Sequence, residues 1–128
     1  MTGNKCLLDT SVIIHAFRKD NAIVPQLDEL TEVFVPVIAI GELLYGAYKA
    51  SIPIRNIEQI FSFLENCTIA ALDKKAATHY GKIKAELHQK GKPIPENDIW
   101  IAAIAQRYNL PLFTTDSHFK EIDSLILF

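Results

Sequence analysis

A three-layer α/β/α sandwich around a mostly parallel central sheet is the fold this sequence predicts, and three observations point to it. Short apolar runs that suit strands alternate with longer stretches of helical spacing along the chain. The first run sets Leu7 beside Leu8 instead of alternating apolar with polar residues, which suits a strand covered on both faces. Two of the runs stop abruptly at hydroxyl residues and an aspartate, where open α/β sheets present their ligands. With 128 residues and no linker, repeat or low-complexity stretch, residues 1–128 read as one domain with a sizeable core.

The elements follow in order. The opening strand ends at Asp9, and Thr10 or Ser11 is a natural N-cap for a helix running to about Arg18. After the polar break Lys19-Asp20-Asn21, a short helix is expected over Val24 to Leu30 with Pro25 in its first turn. Glu32 to Pro36 reads as a second buried strand, closed by proline. The helix from Val37 to Tyr48 is apolar nearly all round and is therefore expected to be buried. Glu42 stands in its middle, with Ala39, Ile38, Tyr45 and Gly46 as helical neighbours. An unpaired carboxylate there would cost several kcal/mol, so it must be protonated, paired with a base or bound to a cation. No base follows on that helix before Lys49, and the plain structural alternative is a salt bridge to a distant base or a position at a helix end.

Pro53 starts a helix to about Asn66, whose apolar residues Ile57, Ile60, Phe61 and Leu64 share one face. Thr68 to Leu72 is a third short strand, and Asp73 then caps a long helix that runs to Lys90 and ends at Gly91. Lys74, Lys75, Lys82, Lys84 and Lys90, with Lys92 beyond, read as a solvated face, with phosphate binding as the alternative. Two prolines stiffen the loop to the next helix, which Glu96 or Asn97 can cap. Asp98 falls in its first turn, where the helix dipole alone would favour an acid, and the apolar stretch Ile99 to Tyr108 behind it holds that N-terminus rigidly. Trp100 reads as core, not as a stacking platform. Leu110 to Asp116 repeats the opening design, although Asp116 could also be a simple turn former, and His118 follows two residues later. Leu125 to Phe128 reads as a last edge strand.

Composition bounds the function. Apolar residues make up 49% and charged residues 22%, as in soluble globular proteins. The longest strictly apolar run, Ile99 to Ala105, falls far short of the ~20 residues that span a bilayer. Asp9, Arg18 and Lys19 interrupt the N-terminal apolar stretches, so no secretory leader is read, and the expected location is cytoplasmic. Cys6 and Cys67 lack metal-motif spacing and read as reduced thiols, not as a disulfide. A net charge of −2 argues mildly against a nucleic-acid partner, but setting aside Asp9, Glu42, Asp98 and Asp116 leaves 11 acids against 13 bases, so it excludes none.

Those four acids carry the functional reading. If the strands are parallel, all four can converge at one edge of the sheet. Converging carboxylates raise one another's pKa unless a cation joins them. Oxygen donors without His or Cys suit Mg²⁺ or Mn²⁺ better than Zn²⁺. Such an ion can activate water and neutralise a phosphodiester, so the residues themselves reach as far as metal-dependent phosphoryl transfer.

Leu7-Leu8-Asp9-Thr10-Ser11, Ile40-Gly41-Glu42-Leu43, Pro95 to Ala103 and Thr114-Thr115-Asp116 resemble the successive motifs of PIN-domain ribonucleases, and more closely of VapC-type toxins. The resemblance runs in order from Cys6 to Phe119. It implies an endoribonuclease dependent on Mg²⁺ or Mn²⁺, acting on RNA such as tRNA or rRNA. Asp9 and Asp98 would hold the metal, with Glu42 and Asp116 shaping its surroundings. Thr10, Ser11, Thr114 and Thr115 would orient the carboxylates or the attacking water, and Glu96 matches an additional acid of many toxin members. A homodimer and an antitoxin that covers the site are implied as partners. The chain departs from the family after Asp116, where the glycine of an Ile-Pro-Gly-Leu-like turn is missing. Haloacid-dehalogenase-like phosphatases also begin from a strand-terminal Asp but need a second one two residues on, where this chain has Ser11. A catalytically silent PIN-like module that binds RNA or protein is the non-enzymatic alternative.

Overall fold

The computed structural model describes residues 4–128; the first three residues of the stretch read above for a leader lie outside them. Strand β1 (Lys5–Leu8) is followed by helices α1 (Thr10–Phe17) and α2 (Val24–Asp28), then β2 (Glu32–Pro36) and α3 (Val37–Tyr48). Next come α4 (Pro53–Leu64), β3 (Thr68–Ala70), α5 (Lys74–Lys90), α6 (Glu96–Arg107), β4 (Leu112–Phe113) and a short 3₁₀ turn at Ser117–Glu121. The four strands form one sheet in the order β3-β2-β1-β4, parallel throughout.

Alternation along β1 divides the core between the two faces. Leu7 packs with Ile83 and Leu87 of α5, Ile101 and Ile104 of α6, and Phe119. Cys6 and Leu8 point the other way, toward Val12 and Ile13 of α1, Ala39 and Leu43 of α3, and Ile60 of α4. Leu7 and Leu8 are both fully buried, as adjacent residues of a central strand between two helical layers must be. Helix α6 is the most deeply buried, because Ala102, Ala103 and Ala105 let its neighbours approach closely. Trp100 lies against α5, its ring stacked on Tyr80 at 3.7 Å. The sequence's cap at Asp73 is present, its side chain accepting the Ala76 N–H at 2.9 Å, and Gly91 ends α5 with a φ of 66°.

Strand order places the site. From β1 the chain steps outward to β2 and β3, then returns to the opposite side of β1 for β4. Between β1 and β4 lies the switch point at which α/β sheets open a crevice beyond their carboxyl ends.

Several expectations need correction. Helix α3 is not buried all round: Val37, Tyr45 and Tyr48 are exposed, and only Ala39, Leu43 and Ala47 are fully covered. Helix α3 packs against α4, α1 and α6 and leaves its remaining face to solvent. Strands β3 and β4 are shorter than expected. The C-terminal residues form no strand, only a single parallel bridge from Leu127 to Leu112, since Ile126, Leu127 and Phe128 remain largely exposed. Neither Thr10 nor Ser11 caps α1, and neither Glu96 nor Asn97 caps α6. Thr10, Glu96 and Asn97 are engaged in contacts distant in sequence, and Ser11 donates to Asp9 two residues back.

Candidate active site

Asp9 directly follows β1 and is 4% exposed, the one buried charged residue among those described. Its backbone N–H donates to Phe113 O at 2.9 Å, tying it to β4. The hydroxyls of Ser11 and Thr114 both donate to Asp9 Oδ2, at 2.8 and 2.7 Å. Each hydroxyl also accepts a backbone N–H from the turn after β4, Ser11 from Thr115 at 3.2 Å and Thr114 from Asp116 at 2.9 Å. Two parallel relays thus run from amide to hydroxyl to carboxylate, and they aim Asp9 without neutralising it.

Glu42 is partly buried on α3 and finds no base among the described residues. Its Oε1 accepts the Thr10 hydroxyl at 2.7 Å and its Oε2 the Asn97 amide at 3.4 Å. Lys49 instead lies over the Tyr45 ring, 4.4 Å from its centroid. Thr10 adjoins Asp9 and Asn97 adjoins Asp98, so the glutamate is fastened to both of the elements that carry the other acids.

Asp98 occupies the first turn of α6 with its side chain 13% exposed. Burial pushes its carboxyl up to about 6, and the negative charges of Asp9 and Asp116 push the same way, while a hydrogen bond from His118 opposes them. The His118 Nδ1 lies 3.0 Å from Asp98 Oδ2 and also 3.0 Å from Asp116 Oδ1. Asp116 begins the 3₁₀ turn, where it accepts the His118 backbone N–H at 2.9 Å.

The structure therefore draws Asp9, Glu42, Asp98 and Asp116 into one hydrogen-bonded neighbourhood, with Thr10, Ser11 and Thr114 between them. Thr115 contributes its backbone N–H. Glu96 points away: Lys84 on α5 holds it at 3.1 Å. Two participants, Asn97 and His118, were not among the residues singled out from the sequence. The only signal for either is adjacency, Asn97 beside Asp98 and His118 two residues after Asp116.

The donor set suits a hard divalent cation. Its free donors are carboxylate oxygens, and the charges of Asp9 and Asp116 add to the burial that raises Asp98. Asp98, Asp116 and His118 offer ligand atoms within 4.8 Å of one another. The imidazole nitrogen of that group already serves the two carboxylates, which leaves oxygen as the ligand chemistry. The acids line an open edge, not an enclosed cavity. One hollow of about 390 Å³ lies elsewhere, between α5, α6 and the C-terminal residues. Beside the acids, Arg18 lines the hollow that contains Glu42, and Lys120 the one that contains Thr114, Thr115 and Asp116.

Residues 6–125 match the PIN domain family. The chain is 39% identical over 124 residues to ribonuclease VapC2 of Haemophilus influenzae, covering 95% of this chain and 92% of that one. It is 32% identical over 124 residues to the tRNA(fMet)-specific endonuclease VapC of Shigella flexneri, covering 94% of each. A solved structure of VapBC2 from Rickettsia felis, bound to a DNA fragment from its promoter, superposes with a TM-score of 0.91 at 30% identity over 97% of both chains.

Proposed function

The chain belongs to the PIN-domain family, and from that premise we propose that it is a metal-dependent endoribonuclease, the toxin of a toxin–antitoxin pair. The observation that carries the reading is the set of four linked acids at the sheet's switch point, where burial first, and then the charges of Asp9 and Asp116, push Asp98 up to about 6. Asp9 and Asp98 would hold Mg²⁺ or Mn²⁺. A divalent ion bound there supplies a Lewis acid that acidifies water and neutralises phosphodiester charge.

The chain's own residues do the rest. Ser11 and Thr114 fix the rotamer of Asp9, so its carboxylate is preorganised. Glu42, held by Thr10 and Asn97, and Asp116, held by the turn's backbone, remain ionisable acceptors able to orient an attacking water. Hydrolysis then breaks one P–O bond, with water as the nucleophile. Arg18 and Lys120 supply positive charge for backbone phosphates on an otherwise acidic edge. The open edge suits a strand of RNA such as tRNA or rRNA better than a small molecule.

An antitoxin and a second copy of the chain are the proposed protein partners, acting in the cytoplasm where RNA is accessible. Tyr45, Tyr48, Ile52, Ile54 and Phe61 on and between α3 and α4 give both an exposed apolar surface. No helix among the described residues is long and apolar enough to cross a membrane. Residues 1–128 would act as one PIN-like nuclease domain.

Induced expression in a bacterium tests the reading. Growth should arrest with discrete RNA fragments accumulating, and Asp9→Asn should abolish both effects. Arrest that persists in the Asp9 variant would contradict the nuclease assignment.

A further inference from the structure

We propose, building on the metal-dependent reading above, that His118 is a positioning residue whose Nδ1 proton holds the Asp98 carboxylate converged on Asp9 and Asp116. Two carboxylate oxygens, one from Asp98 and one from Asp116, lie 3.0 Å from Nδ1. A lone pair facing both would be repelled, so Nδ1 carries the proton and the tautomer is set by geometry.

The two acids differ in how they are held. Asp116 is anchored locally, since its Oδ1 also accepts the His118 backbone N–H. Asp98 accepts no other side-chain hydrogen bond among the described residues, so the imidazole alone fixes its rotamer. The backbone that carries the ring is itself set firmly, because the next residue, Phe119, is fully buried in the core beneath α6. A mobile carboxylate on α6 is thereby tied, through one ring, to a fixed one after β4. This is the outer-sphere orientation that metal sites use to keep their ligands in place. A role as direct ligand or proton carrier would instead run through Nε2.

Asparagine and glutamine separate these roles. His118→Asn keeps an N–H donor near the position of Nδ1 and has nothing at Nε2, whereas His118→Gln places its amide near Nε2. With the full chain, Mn²⁺ binding by calorimetry should weaken about tenfold or more in His118→Ala and His118→Gln. His118→Asn should recover most of that loss, in Mn²⁺ affinity and in RNA cleavage alike. Rescue by Gln but not Asn would overturn the proposal in favour of an Nε2 role, and wild-type affinity in all three variants would overturn it outright. A metal-independent readout runs beside this: imidazole nitrogen chemical shifts in EDTA should show Nδ1 of His118 protonated, and should lose that signature in Asp98→Ala/Asp116→Ala. An unprotonated Nδ1 in the wild type would overturn the proposal, whereas a protonated Nδ1 in a protein that binds no Mn²⁺ would uphold the clamp and refute the metal-dependent reading alone.

Discussion

Replacing Asp98 by asparagine should stabilise the metal-free protein while it abolishes cleavage. The Asp98 carboxyl is moved from 3.8 to about 6, chiefly by burial. That displacement penalises the ionised form by about 3 kcal/mol, and at 13% side-chain exposure solvent screens little of it. The unfolded chain deprotonates this residue near 3.8 and the folded chain only near 6. Between those values the folded state binds more protons, so stability falls as pH rises, and above about 6 the loss is complete. Asparagine removes the penalty, which is already net of the opposing hydrogen bond from His118. The gain is at most about 3 kcal/mol at pH 8, or about 10 °C in Tm. Below pH 4 it should vanish. Thermal unfolding in EDTA from pH 4 to 8, with RNA cleavage measured in parallel, provides the assay. A lower Tm at pH 8, or a gain unchanged across that range, would refute the electrostatic account of Asp98.

Thr114→Val removes both the donor to Asp9 and the acceptor for the Asp116 N–H; it should cost about 1–3 kcal/mol by denaturant titration and slow cleavage more than it weakens RNA binding. Gly91→Ala meets no neighbouring atom within 4 Å, so at a φ of 66° only backbone strain acts, and urea melts should show a loss of about 1 kcal/mol. Burial pushes the Cys6 thiol up to about 12 and the Cys67 thiol up to about 11, so neither should react readily with Ellman's reagent at pH 8 until the chain unfolds. Sedimentation at micromolar concentration should give a dimer; a clean monomer would contradict that part of the proposal.

Much of the fold was legible because local signals and tertiary packing agree. Leu7-Leu8 announces a two-sided strand, and Asp73 and Gly91 bracket a helix whose ends are set by their own chemistry. Where a residue's partner is distant, the local signal misleads. Thr10 reads as a cap because hydroxyls before an apolar run usually cap, yet its hydroxyl is spent on Glu42, in another helix. Helix α3 looks buried because an apolar pattern does not tell a covered side chain from an exposed one such as Val37, Tyr45 or Tyr48. The four acids stood out through placement at strand and helix ends, which sequence can show. His118 and Asn97 did not, because their contacts with Asp98 and Glu42 depend on how α6 and the turn after β4 are set against β1 and α3. Strand β4, against which the C-terminal residues lie, is only two residues long, and the apolar run beside it makes one bridge.

The most direct test of the central claim is cleavage of purified tRNA and rRNA fragments by the isolated protein, with Mn²⁺ or Mg²⁺, with EDTA, and beside Asp9→Asn. Discrete products that require both the metal and Asp9 are the predicted result. Cleavage that continues in EDTA, or in the Asp9 variant, would contradict a metal-dependent site built on these acids.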